Sequence, residues 1–181
     1  MSILDLRNAD KLAILSVPVW NQKPLYQSYL IVSADRDPSD LSQLKVGVHA
    51  ISDPGSNSGY IVTQSEFVAR DENRNNFFEK SFFTFGQRNV LRAVASGLAQ
   101  PGSVDGYVWE AVSANEPDLA AQTKAVWKSE WFGFPPIACR RSQLPTEIVQ
   151  SLQAALITMS DTADIKYHEI HAFGFTHLRV G

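Results

Sequence analysis

A group of small polar residues stands where an apolar run predicts the start of a helix. In "ISDPGSNSGY" (51–60) an Asp-Pro-Gly turn precedes residues 56–59, Ser-Asn-Ser-Gly, which we call the helix-start segment. Hydroxyl groups and the unpaired N–H groups of a helix start together bind an oxyanion well. The same residue types also cap helices that bind no ligand. Residue types alone leave both interpretations open.

Other patterns that could carry chemistry are weaker. "GSNSG" lacks the central serine of a nucleophile elbow, because Asn57 stands there. The sequence has neither a phosphate-binding loop that ends in Gly-Lys-Ser/Thr nor a dinucleotide glycine fingerprint. His168 and His171 are three residues apart, with Glu169 and His177 nearby, and they form half a metal site or the polar face of a final helix. We expect no metal, no cofactor and no catalytic residue.

Composition narrows the class of protein further. The chain has 181 residues, 44% of them hydrophobic and 19% charged, which is typical of one globular domain or two small lobes. A net charge of −3 provides no basic surface for nucleic acid or an anionic membrane. Cys139 is the single cysteine, so no disulfide forms within the chain. The start, "MSILDLRNAD", shows no secretory signal pattern.

Predicted strands and helices alternate along most of the chain. The strand "KVGVHAI" (45–51) comes directly before the helix-start segment, and "VDGYVW" (104–109) is predicted as a further strand. This alternation indicates an α/β fold with a mixed, mostly parallel sheet, in which ligands bind beside helix starts at the carboxyl ends of strands. Two helices are expected to bury apolar faces, made of Val90, Leu91, Val94 and Leu98 in one, and of Ile148, Val149, Leu152 and Leu156 in the other.

Three longer stretches carry a resemblance to a known family. They are "YQSYLIVSADRDPSDLSQLKVGVHAISDPGSNSGYIV" (26–62), "FGQRNVLRAVASGLAQPGSVDGYVWE" (85–110) and "VWKSEWFGFPPIACRRSQLP" (126–145). Between about residues 20 and 175 the chain resembles the phosphonate, phosphite and phosphate-type periplasmic solute-binding proteins of ABC transporters. The Ser-x-Ser-Gly loop and the Trp-x-Ser motif are its most specific features.

The resemblance implies a set of ligand-binding residues. Ser56, Asn57 and Ser58 match the family loop that holds the phosphonate or phosphate oxygens, and Gly59 follows them where the helix opens. Tyr26 matches an aromatic hydroxyl that reaches the same group.

Two further positions match less closely. Gln87 stands where some family members have a histidine on the oxyanion. Glu110 matches an acidic residue that contacts the amino group of aminoalkylphosphonates, while Pro135 stands where a second acidic residue is expected. The resemblance therefore implies a small phosphorus oxyanion with no strong preference for an aminoethyl group.

The resemblance also implies the architecture and the partners. It predicts a periplasmic-binding-protein-like (type II) fold, with residues 35–130 approximately as the second lobe. Residues 1–34 and 131–181 would supply hinge strands and the remnant of an incomplete first lobe. An ABC permease is the implied partner, and the periplasm or cell envelope the implied location. Two alternatives share this fold: a ligand-sensing domain of a signalling system, and an enzyme acting on pyrimidine- or thiamine-related molecules.

One departure from the family predicts self-association. Family members carry first-lobe strands and helices ahead of the segment that corresponds to "KLAILSVPVW" (11–20), and this sequence has no such stretch. We therefore expect that strand and "PPIACRR" (135–141) to present unpaired edges. A homodimer, or docking on a separately encoded lobe, would cover them.

Overall fold

The chain divides into two compact units. The computed structural model describes residues 9–38, 41–44, 47–70, 78–159 and 173–176. We call Gln27–Trp131 the central unit, and Met1–Tyr26 with Phe132–Gly181 the terminal unit. The central unit begins a few residues before the second lobe predicted from the sequence, and that predicted boundary stays a prediction.

Ten strands and five α-helices are described in these ranges. The strands are β1 (Leu12–Trp20), β2 (Leu25–Tyr26), β3 (Ser28–Ser33), β4 (Val48–Ile51), β5 (Lys80–Phe83), β6 (Pro101–Asp105), β7 (Thr123–Lys128), β8 (Phe132–Gly133), β9 (Ile137–Arg140) and β10 (Phe173–Thr176). The helices are α1 (Val62–Arg70), α2 (Gln87–Ala95), α3 (Gly106–Asn115), α4 (Pro117–Ala120) and α5 (Glu147–Thr158). A π-helical turn, Asn57–Ile61, runs directly into α1.

The central unit is built on a five-stranded mixed sheet. Its strand order is β5-β4-β6-β3-β7. Strand β4 is parallel to β5 and β6, whereas β3 is antiparallel to β6 and β7. The mixed α/β architecture is confirmed, but the parallel share is smaller than expected. All described pairings of the terminal unit are antiparallel as well.

Strand β3 supplies the core on both faces of this sheet. Tyr29 and Ile31 pack in one apolar cluster with residues of α2 and α3. Leu30 and Val32 pack in a second cluster with Phe67 of α1. Successive side chains of a strand point to opposite faces, so this alternation places helices on both sides of the sheet. Full burial of β3 explains its uninterrupted apolar sequence.

Helix α2 buries the face that its apolar spacing predicts, with one exception. Val90, Leu91 and Val94 are fully buried. Leu98 is 63% exposed, because α2 ends at Ala95 and Gly97 turns the chain with a φ of +78°. A left-handed φ favours glycine just after a helix, so the helix stops before it reaches Leu98.

The prediction of unpaired strand edges is wrong for β1, whereas β9 has β1 as its single partner among the described strands. Strand β1 lies between two partners: Leu12–Ser16 pairs with β9, and Val17–Trp20 pairs with β10. Strand β2 pairs with β8.

Helix α5 also departs from its predicted packing. Leu156 is buried, but Ile148 is 81% exposed and Leu152 48% exposed. The apolar stripe is therefore largely uncovered among the residues that the structure describes.

Candidate functional site

Three helix starts meet at one edge of the central sheet. Strands β4, β5 and β6 are parallel and lead into the helices that begin at Asn57, Gln87 and Gly106. The carboxyl ends of parallel strands lie at the same edge, where α/β sheets bind ligands. This arrangement confirms the predicted place of the helix-start segment after β4.

Ser56 organises the first of these starts. Its backbone is extended, and its Oγ accepts a hydrogen bond of 3.0 Å from the backbone N–H of Gly59. The Asp53 carbonyl in turn accepts the N–H of Ser56. Because the first N–H groups of a helix have no acceptor within it, this cap stabilises the turn and orients its amides.

Ser58 is buried and bonded on two sides. Its hydroxyl donates to Oδ2 of Asp105 at 2.7 Å, and its carbonyl accepts from the hydroxyl of Ser28. Ser28 Oγ also lies 3.2 Å from Oγ1 of Thr63 in α1. The hydroxyl proton of Ser58 therefore serves Asp105 in this arrangement.

Gly59 is required by close packing against the end of β4. A Cβ built at this position would lie 2.0 Å from Oγ of Ser52 and 2.8 Å from its Cβ. The backbone N–H of Ser52 donates to the carbonyl of Gly59. Glycine thus allows the helix start to lie directly on the strand that precedes it.

Gln87 connects the second helix start to the other two. Its Nε2 donates to Oγ of Ser56 at 3.2 Å, and its Oε1 accepts from the backbone N–H of Asp105 at 3.0 Å. The position that matches the family's ligand-binding histidine thus holds an amide engaged with the protein itself.

Asp105 is the residue of this group that the sequence analysis missed. It caps α3 by accepting the backbone N–H of Tyr107, besides accepting the Ser58 hydroxyl. Burial raises the pKa of Asp105 to about 7; the hydrogen bonds from Ser58 and Tyr107 lower it, and the charge of Glu110 raises it further. The overlooked signal was an Asp-Gly pair, a common cap and helix opening, inside "VDGYVW".

Glu110 lies on α3 and is hydrogen-bonded to the buried residue Tyr29. The Tyr29 hydroxyl donates to its Oε1 at 2.6 Å, and Nζ of Lys128 lies 4.4 Å from the centre of the Tyr29 ring. Burial, followed by the hydrogen bond to Glu110, raises the pKa of Tyr29 well above its usual range. Glu110 is therefore already engaged by a buried hydroxyl.

The remaining predicted residues belong to the terminal unit. Tyr26 belongs to the terminal unit, where its ring lies 5.1 Å from that of Phe134 and 6.1 Å from that of Phe132. Its predicted ligand contact stays a prediction. The residues of the half metal site, at 168–171 and 177, lie outside the described ranges. Within those ranges, no group of three His, Cys, Asp or Glu residues could hold a metal ion.

Comparison with known families identifies the chain. Residues 1–176 match the family model described as "ABC transporter, phosphonate, periplasmic substrate-binding protein". The chain belongs to this family. Family membership confirms the resemblance carried by the motifs. No protein of the curated set matches the sequence.

Several solved structures share the fold of this chain. A binding protein component of an ABC phosphonate transporter from Pseudomonas aeruginosa superposes with a TM-score of 0.71 at 19% identity, over 96% of this chain and 60% of that one. PhnD1 from Prochlorococcus marinus, in complex with methylphosphonate, has a TM-score of 0.74 at 14% identity, over 93% and 66%. A Xanthomonas citri protein bound to ATP has a TM-score of 0.66 at 16% identity, over 96% and 68%.

The length of these relatives limits what the fold implies. The chain spans about 60% of the Pseudomonas aeruginosa protein, although nearly all of this chain is matched. At such identities the likeness shows the fold alone. None of the helices in the described part of the chain is long and apolar enough to cross a membrane.

Proposed function

We propose that this phosphonate-family chain binds a small phosphorus oxyanion, phosphonate, phosphite or phosphate, at the helix-start segment. The observation that carries the proposal is the capped helix start at the carboxyl end of β4, where Ser56 orients the amide of Gly59. Such amides, with the positive end of the helix dipole, favour a bound anion.

The contacts around the segment support reversible capture. The side chains that brace Ser56 and Ser58 are the uncharged Ser28 and Gln87 and the acidic Asp105. Backbone N–H groups bind an oxyanion more weakly than a bidentate arginine does, and release must follow capture in transport. We therefore propose the role of a substrate-binding component that delivers its ligand to an ABC permease from the periplasm.

The proposal also gives roles to individual residues of the site. Asn57 and Ser58 would face the oxyanion with their N–H groups, while the ligand contact of Tyr26 stays a prediction. Gln87 would support the segment and not bind the ligand directly, since both ends of its amide contact the protein. We propose no catalytic step. The family consists of transporter binding proteins, and the sensing and enzymatic alternatives gain no specific support.

Isothermal titration calorimetry with methylphosphonate, phosphite and phosphate tests the proposal. Replacing both serines, Ser56→Ala with Ser58→Ala, should weaken binding by about 1–3 kcal/mol, because the two hydroxyls hold the amides of the segment in place and their loss leaves buried polar partners unsatisfied. Ser65→Ala in α1 is the matched control, because Ser65 is exposed on the same helix. Equal affinities of the parent and the double variant would place the site elsewhere.

A second titration compares ligand classes. Aminoalkylphosphonates should bind no better than methylphosphonate, because Glu110 already accepts the Tyr29 hydroxyl and Pro135 offers no carboxylate. An advantage of about a hundredfold, equal to about 2.7 kcal/mol, for the aminoethyl compound would contradict this specificity.

A further inference from the structure

We propose that Asp105 is a positioning residue for the oxyanion site: it holds Ser58 directly and Ser56 through Gln87, and so fixes the amides of the helix-start segment. This inference rests on the proposed function, since the ligand is assigned to that segment. It adds a residue that no motif indicated and that belongs to another element, the junction of β6 and α3.

A closed ring of hydrogen bonds connects Asp105 to the helix-start segment. Asp105 Oδ2 accepts the Ser58 hydroxyl at 2.7 Å, and the Asp105 N–H donates to Oε1 of Gln87 at 3.0 Å. Nε2 of Gln87 donates to Oγ of Ser56 at 3.2 Å, and Ser56 Oγ also accepts the N–H of Gly59. These hydrogen bonds therefore hold the helix-start segment near both of its ends and connect all three helix starts.

Capping of α3 alone does not explain why position 105 carries a carboxylate. One oxygen, Oδ1, is sufficient to accept the Tyr107 N–H and cap α3. Asparagine caps a helix about as well as aspartate does, without a charge to bury. Asp105 is only 9% exposed, so its charge is costly. A carboxylate differs from an amide in that both oxygens accept, which lets Asp105 hold Tyr107 and Ser58 together.

The charge of Asp105 also acts on an anion bound at the helix-start segment. The titratable groups coupled to Asp105 are Glu110 of its own helix and Tyr29 of β3, while α2 and the helix-start segment meet it with uncharged Gln87 and Ser58. Because burial raises the pKa of Asp105 to about 7, its charge changes near neutral pH. An anion bound at the segment would be repelled more strongly by the ionised form.

Three variants separate positioning from a general loss of fold. Asp105→Ala removes both bonds to the carboxylate, Asp105→Asn keeps the cap and can still bond Ser58, and Gln87→Met opens the ring at its other link. Asp118→Asn, at an exposed position of α4, is the matched control. Affinity for methylphosphonate is measured by calorimetry. Amide hydrogen exchange of peptides covering residues 56–62 is measured without ligand.

The expected results differ between the variants. Asp105→Ala and Gln87→Met should each weaken binding about tenfold or more and speed exchange in residues 56–62, as expected when hydrogen bonds that hold a binding loop are lost. Asp105→Asn should restore both properties in part, because its amide still accepts the Tyr107 N–H and can donate to Ser58 Oγ but cannot accept the Ser58 hydroxyl. The ratio of parent to Asp105→Asn affinity should fall by about fivefold between pH 6 and pH 8.5, because only the parent gains a buried charge. Titration of the ligand itself cancels in this ratio.

Several results would contradict these expectations. Parental affinity and exchange in Asp105→Ala, or a pH-independent ratio, would overturn the positioning role. If Asp105→Ala fails to fold, Gln87→Met and the pH ratio decide. If the parent binds none of the three oxyanions, the proposed function fails, and the exchange of residues 56–62 in the variants still decides whether Asp105 positions the segment.

Discussion

At the scale of single residues, the polar side chains at this sheet edge serve the fold and the proposed ligand together. Ser56 caps the helix and accepts a hydrogen bond from the side-chain amide of Gln87. Ser58 is buried and donates its hydroxyl to Asp105. A functional hydroxyl is usually distinguished from a capping one by its freedom to reach a ligand. Here the Ser58 hydroxyl donates to Asp105 and the Ser56 oxygen accepts two hydrogen bonds, so in the proposed site the backbone N–H groups would be the principal donors.

Gly59 gives a direct test of how closely the helix start lies on β4. Gly59→Ala should lower the free energy of unfolding by about 1–3 kcal/mol, because its Cβ would meet Ser52 and force a shift. The measurement is urea unfolding followed by circular dichroism. Ser52→Ala is the control: its buried hydroxyl has no partner among the described residues, so removing it should cost little or stabilise. A neutral Gly59→Ala variant would show that the packing is looser.

Asp105 should make stability depend on pH. Its pKa is raised from 3.8 to about 7 in the folded chain, so between these values the folded state binds more protons than the unfolded state. Stability relative to Asp105→Asn should therefore fall as pH rises from about 4 to 7 and level off above, by up to about 4 kcal/mol. Urea unfolding of both proteins across this range gives the difference. A flat difference would show that Asp105 is ionised throughout.

At the scale of elements, apolar patterning predicted most strands and helices, but not the junction at Asp105. "VDGYVW" contains residue types that favour strands, yet α3 begins at Gly106. Contact between the Trp109 and Tyr29 rings, 6.1 Å apart, shows the tertiary packing that outweighs this local preference. Because the junction was predicted as a continuous strand, the cap and its second oxygen could not be inferred.

Helix α5 shows the opposite limit of patterning. A 3.6-residue apolar period identified the helix correctly, but periodicity gives a face and not the neighbour that covers it. Leu156 packs inside the terminal unit, while Ile148 is mostly exposed. Similarly, the Ser-x-Ser-Gly spacing located the helix start, whereas the contacts of Gln87 and Asp105 depend on strands that are distant in sequence.

The exposure of α5 makes a prediction at this scale. Leu156→Ala should destabilise the chain by about 2–4 kcal/mol through loss of buried apolar area, whereas Ile148→Ser should change stability by no more than about 0.5 kcal/mol. Urea unfolding of the two variants measures both effects under the same conditions. A large loss in Ile148→Ser would indicate that another surface covers this face of α5 in solution.

At the scale of the whole molecule, family membership and the described fold agree. The match to the phosphonate-binding family covers residues 1–176, and solved relatives share the α/β architecture. Two units are present, and the proposed oxyanion site lies in the central one. The expected homodimer or separately encoded lobe stays a prediction. Strand β1 has two partner strands, which weakens the basis of that prediction, while β9 lies at the edge of the described sheet.

The central claim, that the helix-start segment binds the oxyanion with its amides, is tested most directly by nuclear magnetic resonance. In a 15N-labelled sample, titration with methylphosphonate should shift the backbone N–H signals of Asn57, Ser58 and Gly59 most strongly, because new hydrogen bonds to Asn57 and Ser58, and a negative charge beside the capped N–H of Gly59, change their shielding. Smaller shifts should follow at Gln87 and Asp105. Saturable shifts confined to other parts of the chain, with those three signals unmoved, would contradict the account.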